Sequence, residues 1–589
     1  MIKRIATVGL ILALACGGGG DGGGTGPDGA PSDISTMSVG EVRVLNPADI
    51  TNGIDLPAGS PSGDYVIIVG NTNNIKDVEA SYTVTGDRST DASFGIATPS
   101  GLGAQSNVLV GQIPLARTPQ QAVENRVRAF ERRGLALRTP SNPLASRLSP
   151  RLSTQAASMS VPVVGDVINI KIPDASTDDL CNNFIPTQAV VTSVSAKAIL
   201  AVDTLDGPPQ LVFTQAQMDS ITNEFDNVTY PTDASYFNNP TDFDGNGHII
   251  MLFTGQINKL TPPGTTGGFV GGFFFAGDFF PTVDTQQAQG CAQSNGAEIF
   301  YLLSPDPTGA KWGNVRSASS VRQGTRGTIA HEFQHMINAG NRFQNPAVSA
   351  FEATWLDEGL AHFAEDAVGR VSRGFGDLET LDFNKLVPCN TPCAQANDFN
   401  AFFFQNLARL TYWMSSPDKF SPLSKMADTS LATRGAAWAI LRYAADNFSA
   451  NDARAFTKKL VAGPDTGLKN FTTVAKVPVD TIVAGWLVSM YADHLGIPGM
   501  NLKYQYQSYN FRSAMPPVAR QVLNQSVASY PLIVRPIGSG ADNFSGTNRS
   551  GTGTYYRLTG AGPKNVKVLD GSGNPASFTG EHIYVLRIQ

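Results

Sequence analysis

Residues His331 to His335 read HEFQH, two imidazoles four residues apart with a carboxylate directly after the first. If Gly327 to Asn338 is helical, Ile329, Phe333 and Ile337 form its buried face. His331 and His335 then project together from the neighbouring face. Two imidazoles so placed can hold a metal ion, zinc above all, and Glu332 lies beside them where a general base is needed. The chain has 6 histidines in 589 residues, so this spacing is uncommon by chance.

A zinc site needs a third ligand, and WLDEGLAHF (Trp355 to Phe363) offers Glu358. Ser349 and Glu352 have the spacing of a capping box, and Phe351, Trp355 and Phe363 recur as a core stripe. A second helix is therefore predicted there. There are 22 residues between His335 and Glu358. Two antiparallel helices joined by the polar turn Gly340 to Pro346 would bring Glu358 back beside the histidines, leaving a fourth coordination position open.

HEFQHMIN followed by WLDEGLAHFAED resembles the gluzincin metallopeptidases, and within them the hyicolysin-type neutral metalloproteases. The resemblance implies that His331, His335 and Glu358 bind Zn2+, that Glu332 is the catalytic base, and that the substrate is a protein or peptide. It also implies a multidomain α+β chain with a thermolysin-like catalytic domain, a mixed sheet plus a helical subdomain. The metzincin pattern fails, because Asn338 and Asn341 stand where its Gly and third His belong. No segment resembles the amine-binding motif of the aminopeptidases, which favours an endopeptidase. Two positions depart from the clan. Ala432 of ATRGAAW stands where the aminopeptidases carry an oxyanion-stabilising Tyr, with Tyr412, Tyr443, Tyr491 and His494 as other candidate donors. His362 stands where thermolysin-like enzymes carry an Asp that orients a zinc His. His362 reads as a substrate contact, an alternative ligand or an exposed helix residue. The alternative function is a surface adhesin or binding protein on a catalytically retired peptidase fold; the intact ligands and base count against it.

Met1 to Cys16 reads as an export signal, with Lys3 and Arg4 before an apolar run ending in LALAC. Cys16 followed by a Gly-rich stretch resembles a bacterial lipoprotein signal, which would anchor the protein to a membrane through lipid on Cys16; an ordinary cleaved signal is the other reading. The expected location is the cell surface or outer membrane as a lipoprotein, or secreted. The four remaining cysteines pair most simply as Cys181 with Cys291 and Cys389 with Cys393. A net charge of −6 leaves no footprint for nucleic acid.

Composition of 41% apolar and 16% charged residues is that of a globular chain, and its length allows several domains. Residues 1–16 form the signal peptide and 17–38 a Gly-rich tether. Residues 39–115 carry short β-branched runs expected to form an N-terminal β-sandwich. Residues 116–160 hold a basic helix, QQAVENRVRAFERR, and an Arg-, Ser- and Pro-rich linker that is either a propeptide junction or an uncut spacer. Residues 161–497 form the zinc metallopeptidase domain, with helices from Phe399 to Leu495. Residues 498–589, with LKYQYQSYNF (Leu502 to Phe511) as the first run, read as strands of a C-terminal β-sandwich.

Two stretches within the catalytic region carry their own signals. In PTDFDGNGHIIMLF, Asp242, Asp244 and Asn246 stand at positions one, three and five of a Ca2+ loop, although Phe253 replaces the closing Glu. A turn entering a buried strand explains the same residues. GGFVGGFFFAGDFF (Gly267 to Phe280) reads either as an edge strand or flap that pairs with an extended peptide, or as core.

Overall fold

The computed structural model describes residues 32–57, 59–72, 79–86, 118–134 and 161–589, the last range without 266–267, 285–289, 346, 390–392, 424–429, 524–528, 538–542, 561–563, 571 and 575–580. The signal with Cys16, most of the tether, the SNVLVGQI run and the linker 135–160 lie outside the described residues.

Four short strands open the described chain: β1 (Val42–Leu45), β2 (Ile54–Leu56), β3 (Gly63–Asn71) and β4 (Ala80–Gly86). The basic helix follows as α1 (Pro119–Gly134), with Val123 and Val127 buried. Next come β5 (Val167–Pro173), β6 (Phe184–Val194), β7 (Ala198–Asp203), β8 (Ile249–Thr254), β9 (Gly272–Phe274) and β10 (Ile299–Leu303). These form one six-stranded sheet in the order β5-β6-β7-β8-β10-β9. It is mixed: β7–β8 and β8–β10 are parallel, the other pairs antiparallel. The central strands AILAVD, IIMLFT and IFYLL are continuous apolar runs and are buried throughout, as strands covered on both faces must be. The Cys181–Cys291 and Cys389–Cys393 disulfides are formed.

Two long helices, α2 (Ala318–Gln344) and α3 (Thr354–Arg373), carry the HEFQH and WLDEG segments. The second begins four residues later than its sequence signal. Ala353, not Ser349, stands at its N-cap. Glu352 is buried instead, paired with Arg342 and accepting the amide of Gly467. A buried guanidinium must have a carboxylate, and this demand outcompetes the weaker local cap. Above lie α4 (Phe404–Met414), α5 (Leu431–Phe448), three helices at Ala453–Ala462, Gly467–Ala475 and Val479–Ala492, and α6 (Phe511–Val522). Gly359 lets α5 close on α3, since a Cβ there would sit 3.2 Å from the Ala437 carbonyl.

The helical layer therefore extends past residue 497. LKYQYQSYNF is not a strand: it holds a short 3-10 turn, Leu502–Tyr504, and its tyrosines face helices. Tyr506 donates to the Ala439 carbonyl at 2.9 Å and Tyr509 to Asp366 Oδ1 at 2.7 Å. Alternating Tyr mimics a strand pattern, but here the Tyr506 and Tyr509 hydroxyls reach buried acceptors.

Strands β11 (Val534–Ile537), β12 (Asn543–Asn548), β13 (Thr552–Gly560), β14 (Lys564–Asp570) and β15 (Glu581–Arg587) complete the chain. They do not form a module of their own. One sheet runs β1-β15-β3-β13-β11 and the other β12-β4-β14-β2. The expected N- and C-terminal sandwiches are a single two-sheet unit, with β3 held between β13 and β15 and β4 between β12 and β14. Alternation identifies a strand and leaves its partner open, which is why two modules were expected from the sequence.

Candidate metal centre

The hairpin of α2 and α3 brings the three expected ligands together. His331 Nε2 lies 3.1 Å from His335 Nε2, and Glu358 Oε2 lies 3.5 Å and 3.9 Å from the two. Ligand atoms about 2.1 Å from a tetrahedral zinc stand roughly 3.4 Å apart. Spacing and donor set fit that ion. All three residues, and Glu332, are buried. The nitrogens of Arg434, Arg128 and His331 nearest Glu358 stand off at 3.3, 3.4 and 3.5 Å, longer than a charge-assisted hydrogen bond. Burial pushes the Glu358 carboxyl up, but Arg434, the His331 contact, His335 and Arg128 outweigh it and hold it well below the usual carboxylate range. A buried anion without a close donor is built to meet a cation.

Each imidazole is fixed through its other nitrogen. His331 Nδ1 is 2.8 Å from Glu365 Oε1, and His335 Nδ1 is 2.8 Å from Asp357 Oδ2. Such carboxylates set the ring orientation and tautomer of a ligating His. Asp357 is steadied in turn by Asn338 Nδ2, which donates to Oδ1 at 2.6 Å. Both acids stay ionised. Burial raises each, but His335 and Arg128 bring Asp357 below its ordinary value, and His362, His331 and Arg409 bring Glu365 well below its own. Sequence reasoning looked four residues past Glu358 for such a group and found His362. The groups stand one residue before and seven residues after it, on the same helix. Asp357→Asn and Glu365→Gln are each expected to lower metal affinity about 10- to 100-fold with the fold retained. Competition with a chromophoric chelator measures this, and unchanged affinity in both variants would deny these acids an orienting role.

His362 is fully buried, so the exposed reading falls. Its Nδ1 lies 2.9 Å from Glu365 Oε1 and its ring centroid 4.6 Å from that of His331. Burial and then Arg409 pull its pKa down to about 3, leaving a neutral ring. His331, His362 and Glu365 form a second group with ligand-compatible spacing. It shares His331 with the first group, and its Glu365 is already spent orienting that ring.

Glu332 follows His331 on α2, and its Oε2 accepts the amide of Phe274 at 2.9 Å. Burial raises its pKa, with His331, His335 and Arg128 pulling the other way. A carboxylate made more basic in this way is better matched to taking a proton near neutral pH. In the Phe- and Gly-rich stretch, Phe273, Phe274, Phe275, Phe279 and Phe280 are core, and β9 is the margin of the six-stranded sheet.

The cations facing Glu358 come from places the sequence left unassigned. Arg434, two residues past Ala432 in ATRGAAW, reaches Glu358 Oε2 from α5; Arg128 reaches Oε1 from α1. Two of the candidate donors are committed elsewhere: Tyr443 donates to the Lys503 carbonyl at 2.7 Å and His494 pairs with Asp493 at 2.9 Å. Tyr491 is buried with Arg512 5.4 Å from its ring, and Tyr412 is half-buried.

In the DGNG loop, Asp242 and Asp244 come together with Glu298. Asn246 does not join them as a ligand. Its Oδ1 accepts the His248 amide at 2.7 Å and its Nδ2 donates to Asp244 at 2.6 Å. Glu298 is pushed up to about 8 by burial, with Thr241 and the Phe243 amide bonded to it. The loop leads into β8, and the carboxylates of Asp242, Asp244 and Glu298 keep a spacing compatible with a cation.

No family model matches the chain. Among curated proteins it is 29% identical over 152 residues to the neutral metalloprotease ShpI of Staphylococcus hyicus. That match covers 26% of this chain and 31% of the relative, so the chain spans less than a third of the relative's length. The chain is thus distantly related to a metalloprotease, and it carries buried His and Glu groups suited to a metal.

Proposed function

We propose that the chain is a zinc-dependent endopeptidase, exported and anchored through lipid on Cys16. The convergence of His331, His335 and Glu358 in a buried cluster, with Asp357 and Glu365 fixing both imidazoles, carries this reading. When bound there, zinc supplies a Lewis acid that makes water more acidic and polarises a peptide carbonyl. The side chains do the rest. Glu332, steadied through Oε2 by the Phe274 amide, takes the proton of the attacking water at its other oxygen and hands it to the leaving amine. Asp357 and Glu365 hold the two histidines by Nδ1, which turns each Nε2 toward the shared site. Arg434 is the cation nearest Glu358 and the best candidate for sharing the charge that develops on the carbonyl oxygen.

The test is hydrolysis of an unstructured protein such as casein by the full chain, with and without a zinc chelator. Chelator-sensitive cleavage, restored by added zinc, supports the peptidase. A folded, zinc-loaded chain that cleaves nothing, both intact and with α1 loosened by Arg126→Ala, would instead favour a binding protein on a retired peptidase fold.

A further inference from the structure

Helix α1 lies across the metal centre, and four of its residues spaced by four touch the catalytic region. Gln120 meets the margin of the six-stranded sheet. Its Oε1 accepts the Gly271 amide at 3.0 Å and its Nε2 donates to the Gly272 carbonyl at 3.2 Å. An extended peptide added to that sheet margin would use the same kind of backbone donor and acceptor. Glu124 Oε2 lies 2.5 Å from an Arg434 nitrogen. Arg128 lies 3.0 Å from Asp357 Oδ2 and 3.4 Å from Oε1 of the ligand Glu358. Arg132 reaches the hydroxyl of Thr354, at the start of α3, at 3.4 Å. The apolar side is equally committed: Phe130 packs 4.8 Å from Phe275 and 5.4 Å from Phe280, centroid to centroid.

With α1 seated, His331, Glu332, His335 and Glu358 are 6%, 3%, 1% and 2% exposed. A hydrolytic metal site must admit water and substrate at an open position. We infer that α1 is a built-in plug that occupies the substrate cleft by imitating a bound peptide, and that the cleft beneath it takes an extended chain on Gly271–Gly272 with an acidic side chain on Arg434. This rests on the peptidase reading for the word substrate; the occupation of the site by α1 does not.

The topology decides what kind of plug this is. A cut within residues 135–160 would free the C-terminal end of α1, yet its N-terminal end stays joined through residues 87–117 to β4. That strand is hydrogen-bonded on both sides, to β12 and β14. Cleavage of the linker therefore leaves α1 joined to the β unit, and no propeptide leaves.

The experiment compares the full zinc-loaded chain with Gln120→Ala/Glu124→Ala/Arg128→Ala. Two rates are read: zinc transfer to a chromophoric chelator, and casein hydrolysis. Removing buried charge contacts should raise both by about tenfold or more. A synthetic peptide of residues 118–134, added to the variant, should slow both again. Arg126→Ala loosens α1 more gently, removing contacts to Asp178 and the Ala175 carbonyl; it should move both rates the same way and serves if the triple variant does not fold. Folded variants with unchanged zinc transfer and unchanged hydrolysis would overturn the plug. Faster zinc transfer reversed by the peptide, with no casein cleavage by any form, would uphold the plug and remove the peptidase reading.

Discussion

Glu332→Gln is expected to lower the rate of peptide hydrolysis by about 10^3-fold or more while zinc content and fold stay as in the wild type. The substitution keeps the shape of the side chain. Its amide oxygen can still accept the Phe274 N–H that Oε2 now accepts at 2.9 Å. The three ligand residues are untouched, and so are Asp357 and Glu365, which hold the imidazoles. What is lost is a group able to take a proton. Burial raises the pKa of Glu332, so the wild-type carboxyl costs some stability when ionised, and a neutral amide in its place should leave thermal stability unchanged or slightly higher. Turnover of a casein-derived fluorogenic peptide, zinc stoichiometry and a melting curve on the same preparation separate the possibilities. Undiminished turnover would refute Glu332 as the base. Turnover lost together with zinc would make the residue part of the metal cage instead.

The candidate ligand cluster is legible because it is local. His331 and His335 are one helical turn apart, and a second amphipathic helix after a short polar turn leaves few places for Glu358 to go. The groups that orient the ligands were harder. Asp357 and Glu365 are both visible in WLDEGLAHFAED, but which face of α3 meets α2 depends on packing, here on the close approach of α5 at Gly359. Asn338 was noted only as a residue that spoils another pattern, yet it steadies Asp357. The basic helix was seen, and its stripe of Gln120, Glu124, Arg128 and Arg132 is written in the chain. Nothing local says that the partners of this stripe lie up to 310 residues further on, as Arg434 lies from Glu124. Glu352 shows the reverse error: a good local cap, overridden by a buried Arg342 that needed a charge.

The interleaved β unit leads to the second large expected effect. A chain begun at Val161, which retains every metal ligand and the whole mixed sheet, is expected to be insoluble or unfolded. It would lack β3, whose residues Tyr65, Val66, Ile67, Ile68 and Val69 are each 0% exposed between β13 and β15. Burying an aliphatic or aromatic side chain of this size stabilises by about 1.5–3 kcal/mol. Five of them amount to roughly 8–15 kcal/mol, comparable with the entire stability of an ordinary domain. The damage would not stay in the β unit. Val66, Ile68, Tyr555 and Tyr584 belong to the same buried cluster as α2 and α3, and Tyr555 donates to the Leu487 carbonyl at 2.9 Å. Without β3, the inner face of that sheet loses its centre and Leu487 loses Gly70, one of the two glycines it packs against. A full chain nicked within residues 135–160 is the necessary contrast. It keeps every strand, so it should elute as one particle and melt close to the intact protein. Size-exclusion chromatography and thermal melts of both forms make the comparison. A cooperative melt of the 161–589 chain near that of the full chain would show that β1 to β4 are dispensable. Dissociation of the nicked chain into two pieces would show that they are removable, and α1 would then leave with them as a true propeptide.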